Sequence, residues 1–237
     1  MSEPLHYQSL VSIAEQLRSS ELSSVDLTEH MLARIGALDN QLLSYATVSS
    51  DLARAQAQRA EAEIKAGRYR GLLHGVPVAI KDLCYTAGVP TKGGLKVRQQ
   101  FVPEFDATVV RRLQEAGAVL LGKLNLTEGA LSAYNPEFPI PQNPWGKELW
   151  AGVSSSGSGV AVAAGLCFAA IGTDTGGSIR YPAMANGVTG LKPTYGRVSR
   201  YGVLSLAESL DHVGPMARSV ADAVALYNCI AGYDVND

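Results

Sequence analysis

Two loops rich in glycine and serine contain the residues best suited to nucleophilic chemistry. The first, 152–159, reads Gly-Val-Ser-Ser-Ser-Gly-Ser-Gly, and the second, 172–180, reads Gly-Thr-Asp-Thr-Gly-Gly-Ser-Ile-Arg. Glycine costs roughly 0.5–1 kcal/mol relative to alanine in regular structure, so such clusters indicate a backbone or ligand requirement. N–H groups through Gly176 and Gly177 can converge on one oxygen, as an oxyanion hole requires. We interpret the loops as surrounding a reacting carbonyl with hydroxyls and N–H groups.

The second loop also fits a plainer interpretation. A Gly-Gly turn that enters a helix or strand, with Ser178 as a cap, explains that stretch about as well when it is taken alone. Asp174 and Arg180 flank the turn. We expect them to brace the loop through hydrogen bonds or an ion pair, as support for the chemistry.

A lysine at the end of an apolar segment is a candidate base. Residues 75–82 read Gly-Val-Pro-Val-Ala-Ile-Lys-Asp, which predicts a buried strand that ends near Lys81. Burial disfavours the ammonium form and lowers the pKa, so such an amine could accept a proton near neutrality. Successive strand residues point to opposite faces, so Lys81 and Asp82 are not expected to pair. For Lys81 taken alone, a side chain that extends to solvent is the favoured alternative.

Other catalytic and nucleotide-binding motifs are incomplete. Residues 117–123 match the first seven positions of a phosphate-binding loop, but Leu124 stands where Ser or Thr should hold magnesium. No G-x-G-x-x-G follows a strand, and no G-x-S-x-G occurs. These differences argue against a nucleotide site and against the usual nucleophile turn of α/β-hydrolases.

The histidines show no spacing typical of metal ligands, and structural or surface roles are the better interpretation. They are His6, His30, His74 and His212. A Ser–His–Asp triad through His74 or His212 is possible in space, although nothing in the spacing favours it.

Composition indicates a globular protein of a reducing compartment. The 237 residues are 46% hydrophobic and 18% charged, and the net charge is −2 with both signs mixed. This balance shows no electrostatic footprint for nucleic acid or an anionic membrane. Three isolated cysteines argue against disulfides, and the first residues lack the regions of a signal peptide. We expect a cytoplasmic protein that contacts neither nucleic acid nor membrane directly.

Hydrophobic periodicity predicts alternating helices and strands. Helices are expected at 7–19, 24–38, 50–66, 106–116, 158–165 and 217–231, and strands at 44–48, 118–123, 166–172 and within 75–82. Ser24 is the expected N-cap of the second helix. The alternation predicts an α/β fold with a mixed, partly parallel central sheet flanked by helices. We expect one domain, with residues 1–70 as a helical lead-in packed on an α/β core of residues 71–237.

Four stretches together resemble the amidase signature family. They are the segment ending in Lys81, the loop around Ser154, the loop around Ser178, and Gly-Val-Thr-Gly-Leu-Lys-Pro-Thr at 187–194. They appear in the family's order between residues 75 and 214, and 24 residues separate Ser154 from Ser178, as in the family. The earlier helices are also similar to the family's N-terminal region.

The resemblance implies a Ser–Ser–Lys triad. Ser178 would be the nucleophile, Lys81 the base, and Ser154, preceded by a cis peptide bond, the proton relay between them. Backbone N–H groups would bind the oxyanion, namely those of Thr175, Gly176, Gly177 and Ser178. A serine needs an adjacent base to attack an amide, and a neutral lysine acting through a second hydroxyl meets that need. The resemblance implies neither a cofactor nor a metal.

The sequence differs from the family pattern in two residues and in length. Val153 and Ser156 stand where the family commonly has glycine. Family members are also roughly twice as long, so the fold is expected to be truncated at the C-terminal side and incomplete relative to the family.

The resemblance leaves three functions open. The favoured one is an amidase that cleaves a small-molecule amide through an acyl-enzyme, releasing ammonia or an amine and a carboxylate. The others are the A-type subunit of a glutamyl/aspartyl-tRNA amidotransferase, and an inactive truncated amidase half. An exposed sheet edge would favour association with another copy or a partner chain.

Overall fold

A mixed six-stranded sheet forms the centre of the computed structural model, which describes residues 3–237. The strands are β1 Tyr45–Val48, β2 Pro77–Lys81, β3 Val119–Leu124, β4 Ala169–Asp174, β5 Thr189–Gly190 and β6 His212–Ala217. Their order across the sheet is β1-β3-β2-β4-β6-β5. β2 lies parallel to both β3 and β4, and the outer pairs are antiparallel. The predicted mixed, partly parallel sheet is therefore confirmed.

Seven α-helices accompany the sheet in the described residues. They are α1 Leu10–Arg18, α2 Ser24–Leu42, α3 Ser50–Lys65, α4 Thr108–Glu115, α5 Ser156–Ala163, α6 Arg180–Asn186 and α7 Val220–Ile230. Short 3-10 helices occupy Leu5–Tyr7, Lys96–Arg98 and Glu128–Ala130. The predicted helices are present with ends displaced by a few residues. Within residues 3–237, no helix is long and apolar enough to cross a bilayer.

The N-cap prediction for α2 was wrong by one residue. The Ser23 hydroxyl accepts the hydrogen bond from the Asp26 N–H, so Ser23 is the cap. The Ser24 side chain is buried, and its hydroxyl donates to the Gly75 carbonyl at 2.9 Å. Ser24 therefore ties α2 to the chain that enters β2.

The three central strands are buried along their whole length. Their continuous apolar runs are typical of parallel strands covered on both faces. β2 and β4 pair in register, with Val78 opposite Ala169 and Ile80 opposite Ile171. Their carboxyl ends therefore meet at one edge of the sheet, and both serine loops lie there.

The N-terminal helices share one hydrophobic core with the sheet. Leu10, Ile13 and Met31 belong to the same buried cluster as Val78 and Ile80. The division at residue 70 stays a prediction, and Met1 and Ser2 lie outside the described residues.

The start of α5 lies unusually close to neighbouring backbone. The Gly157 N–H donates to the Asn125 carbonyl at 3.0 Å. A Cβ added at Gly157 would lie 2.5 Å from the carbonyl oxygens of both Asn125 and Ser44. Glycine is therefore required at this position for close approach.

We predict that Gly157→Ala destabilises the fold by about 1–3 kcal/mol, because the backbone must shift to admit the methyl group. Gly36→Ala in α2 is the matched control, since a Cβ there meets nothing within 4 Å. Alanine at a helical glycine should raise stability by about 0.5–1 kcal/mol. Urea unfolding of both variants checks this prediction, and equal midpoints would contradict it.

Candidate active site

Lys81 lies at the end of β2 with its amine fully buried. Its Nζ is 2.7 Å from Ser154 Oγ and 2.8 Å from Thr173 Oγ1. Burial lowers the pKa of Lys81 to about 7, although Cys84, Asp174 and Asp211 act in the opposite direction. The amine is therefore available in its neutral form near neutral pH.

Ser154 lies in the segment that leads into α5, and its side chain is buried. The Val153–Ser154 peptide bond is cis. The preceding Gly152 has φ +81°, and a Cβ there would lie 2.4 Å from the Cα of Pro182 in α6. Glycine at this position thus allows the loop to pack directly against α6, with the Ser154 hydroxyl against Lys81.

Ser178 lies in the turn between β4 and α6 and is half-buried. Its carbonyl accepts a hydrogen bond from the Ser155 N–H at 3.2 Å, which joins the two serine loops. Within residues 3–237, the side chains of Ser154 and Ser178 form no hydrogen bond with each other. The structure therefore brings Lys81 and Ser154 into contact and places the backbone of Ser178 beside them.

Asp174 organises the turn that carries Ser178. Its carboxylate accepts hydrogen bonds from the N–H groups of Gly177 (2.8 Å) and Ile179 (3.1 Å). The Arg180 guanidinium donates two more, at 2.9 and 3.0 Å. Burial alone would raise the pKa of Asp174, but the bonds from Arg180 and from the N–H groups outweigh burial and lower it. The expected bracing by Asp174 and Arg180 is present.

One predicted oxyanion donor is engaged elsewhere. The Gly177 N–H donates to Asp174 Oδ1, so that part of the prediction needs correction. Gly177 has φ +131°, and a Cβ there would lie 2.2 Å from the Tyr181 ring. The N–H groups of Thr175, Gly176 and Ser178 have no acceptor among residues 3–237. Three of the four predicted donors therefore remain free to bind an oxygen.

Two neighbouring hydroxyls were missed by the sequence reasoning. Thr173 is the second hydrogen-bond partner of Lys81, and its position one residue before Asp174 on β4 was the available signal. Tyr134 donates to Ser156 Oγ at 2.6 Å. Ser156 stands where the family commonly has glycine, so Tyr134 accounts for the extra hydroxyl at this position.

A cavity of about 410 Å³ lies beside the site. Thr173 and Thr175 form part of its wall, and the Thr175 hydroxyl donates to Asp211 at 2.5 Å. Apolar side chains such as Leu83 and Val203 form another part. Space for part of a small ligand therefore adjoins the partner of Lys81.

The alternative candidates have other partners. The buried His74 contacts Glu63 at 3.1 Å, and His212 Nδ1 contacts the Leu210 carbonyl at 2.7 Å. Lys123 is a buried residue of β3 and not part of a phosphate-binding loop. Across residues 3–237, no group of three or more His, Cys, Asp or Glu could hold a metal ion.

Known proteins match this chain over nearly its whole length. The Amidase family model matches residues 26–237. Amidase AmiD of Mycobacterium tuberculosis is 56% identical over 228 residues, which is 96% of this chain and 48% of that protein. The A-type polypeptide of the glutamyl-tRNA(Gln) amidotransferase of Roseiflexus sp. is 50% identical over 98% of this chain and 48% of its own length. The chain thus spans about half the length of the curated relatives it matches.

Solved structures show the same relationship. The peptide amidase from Stenotrophomonas maltophilia superposes with a TM-score of 0.95 at 43% identity, covering 99% of this chain and 50% of that one. The A-type polypeptide of the glutamyl-tRNA(Gln) amidotransferase from Thermotoga maritima superposes with a TM-score of 0.82 at 37% identity, covering 100% of this chain and 49% of that one. The fold, the family match and the sequence identity agree, and this chain belongs to the amidase signature family.

Proposed function

We propose that this chain carries the catalytic groups of an amidase that hydrolyses the carbon–nitrogen bond of a small-molecule amide. The observation that carries the proposal is the buried amine of Lys81, 2.7 Å from the Ser154 hydroxyl and next to the loop of Ser178. A lysine without solvent or a carboxylate in contact is poised to accept a proton through that hydroxyl.

Acylation would begin with Ser178. Its Oγ attacks the amide carbon while its proton passes to Ser154 Oγ and the Ser154 proton passes to Lys81 Nζ. The tetrahedral oxyanion is stabilised by the free N–H groups of Thr175, Gly176 and Ser178. Collapse breaks the carbon–nitrogen bond, and the departing nitrogen takes the proton back from Lys81 through Ser154. An ester on Ser178 and free ammonia or amine remain.

Hydrolysis of the ester would use the same relay. Water attacks the acyl carbon and loses its proton through Ser154 to Lys81. The Ser178 oxygen leaves and regains a proton along the same path, and a carboxylic acid is released. The missing hydrogen bond between the two serines fits a resting site, because catalytic contacts often tighten only when substrate binds.

Relatives suggest a second candidate. The Roseiflexus relative, 50% identical, is named as part of a glutamyl-tRNA(Gln) amidotransferase. In that role the same site would release ammonia for transfer to an acylated tRNA, with a partner chain contacting the RNA. Copurification of a partner and tRNA-dependent glutaminase activity would favour it over a free amidase. If the chain instead acts only as an inactive half, neither activity would be found.

We predict that Ser178→Ala lowers turnover of small primary amides by at least about 10³-fold, because the acyl-enzyme cannot form. Released ammonia is the measurement. Ser158→Ala is the matched control, since the Ser158 hydroxyl donates to the Ile171 carbonyl, away from Lys81. Unchanged turnover in Ser178→Ala would end the proposal.

The pH dependence should follow Lys81. The base must be neutral, and burial places its pKa at about 7, so kcat/KM should fall as the pH drops below that value. Lys81→Ala should lose turnover by a similar factor to Ser178→Ala, since the relay acts as a unit. A profile without an acidic limb near neutrality would show that another group is the base.

The Thr173 hydroxyl should orient the amine. Thr173→Val keeps the side-chain shape but removes the 2.8 Å contact with Lys81, so kcat should fall roughly tenfold with little change in KM. Thr173→Ser keeps the hydroxyl and should recover most of kcat. Steady-state kinetics of both variants tests this, and equal losses in the two would contradict the orienting role.

A further inference from the structure

Two lysines are buried side by side on adjacent strands. Lys81 on β2 and Lys123 on β3 are both fully buried. The parallel register places Ile80 beside Lys123 and Lys81 beside Leu124. Because neighbouring positions point to opposite faces, the two amines project from opposite sides of the sheet. The proposed mechanism uses only Lys81.

The surroundings of Lys123 suit an ammonium. Its Nζ lies 2.6 Å from the Cys84 carbonyl and 2.7 Å from Thr91 Oγ1. The carboxylate oxygen Oδ1 of Asp82 lies 3.5 Å away, within ion-pair distance. An ammonium has three N–H donors and no acceptor, and these three oxygens surround it.

The surroundings of Lys81 suit a neutral amine instead. Its two partners, Ser154 and Thr173, are hydroxyls that can donate as well as accept. Across residues 3–237, no carboxylate lies within ion-pair distance of its Nζ. A neutral amine can therefore accept a proton from one hydroxyl while it donates to the other.

Asp82 faces Lys123 and not Lys81. Its Oδ2 accepts hydrogen bonds from the N–H groups of Lys92 (2.9 Å) and Gly93 (3.2 Å), which favour the carboxylate form. Its Oδ1 accepts no hydrogen bond among residues 3–237 and has the Lys123 ammonium as its ionic neighbour. A buried carboxylate of this kind needs a counter-charge.

We propose that Lys123 is a positioning residue that keeps the two buried lysines in opposite charge states. Its ammonium neutralises Asp82 on the face of the sheet away from the serines, and Lys81 is left without a carboxylate partner and free to accept a proton. This inference rests on the proposed function, because it explains how the base of that site stays neutral.

The other charged groups around both amines are accounted for. The Cys84 thiol, Asp174 and Asp211 face Lys81, and Asp174 is paired with Arg180. Burial raises the pKa of Cys84 to about 11, so it faces both lysines as a neutral thiol. Lys123 is faced by Asp82, Cys84 and Asp106. Burial lowers the pKa of Lys123, and its acidic neighbours partly offset that effect.

NMR of the lysine side-chain nitrogens tests the proposal on the intact chain. With ¹⁵Nζ-labelled lysine, Lys123 should keep an ammonium signal between about pH 6 and pH 9, while Lys81 should titrate near neutrality. Lys81→Met and Lys123→Met assign the two signals, and Lys65→Met, on the exposed face of α3, is the control. A Lys123 signal that titrates together with Lys81 would overturn the proposal.

Charge removal gives signed outcomes for the Lys81 titration. Lys123→Met leaves Asp82 uncompensated and should raise the Lys81 midpoint by about half to one pH unit, and Asp82→Asn should lower it. The double variant removes both charges and should titrate near the wild-type midpoint. It also serves if a single variant does not fold, since a buried pair tolerates joint replacement better. Single variants that shift in the same direction, or a displaced midpoint in the double variant, would refute the proposal.

The two levels of inference can fail separately. Absence of amide turnover, together with the expected NMR titrations, would refute the proposed amidase and leave the lysine assignment standing. Turnover together with a neutral Lys123 at pH 7 would refute the assignment and leave the amidase standing.

Discussion

The site depends on the burial of one amine among hydroxyls. Lys81 has no solvent contact, and its nearest partners are Ser154 and Thr173. A lysine in such surroundings loses much of its preference for the charged form. The same amine with a carboxylate in contact would hold its proton and could not activate a serine. The features around it serve to preserve this arrangement.

The fold supplies the arrangement through the carboxyl ends of two parallel strands. β2 presents Lys81, β4 presents Thr173 and Asp174, and the first serine loop packs across them. Asp174 is directed away from Lys81 toward the Arg180 guanidinium and the N–H groups of the turn. Asp82 is directed to the other face of the sheet. Both neighbouring carboxylates are thereby engaged by other partners.

The sequence was sufficient for the sheet class, the buried strand ending at Lys81 and the two serine loops, because apolar runs and glycine clusters are local signals. It did not reveal α6, β5 or β6. α6 is seven residues long and contains Pro182, β5 has two residues, and β6 contains Gly214 and Pro215, so none shows a clear period. The engagement of the Gly177 N–H by Asp174 depends on how the turn closes in space, and no spacing rule contains that information.

The central claim is that a neutral Lys81 activates Ser178 through Ser154. A fluorophosphonate, which reacts covalently with activated serines, tests it directly on the 237-residue chain. Mass spectrometry of the labelled protein should find one adduct, on Ser178, and the adduct should be lost in both Lys81→Ala and Ser154→Ala. Absence of an adduct in the folded wild-type chain, or labelling of Ser178 that persists in Lys81→Ala, would contradict the claim.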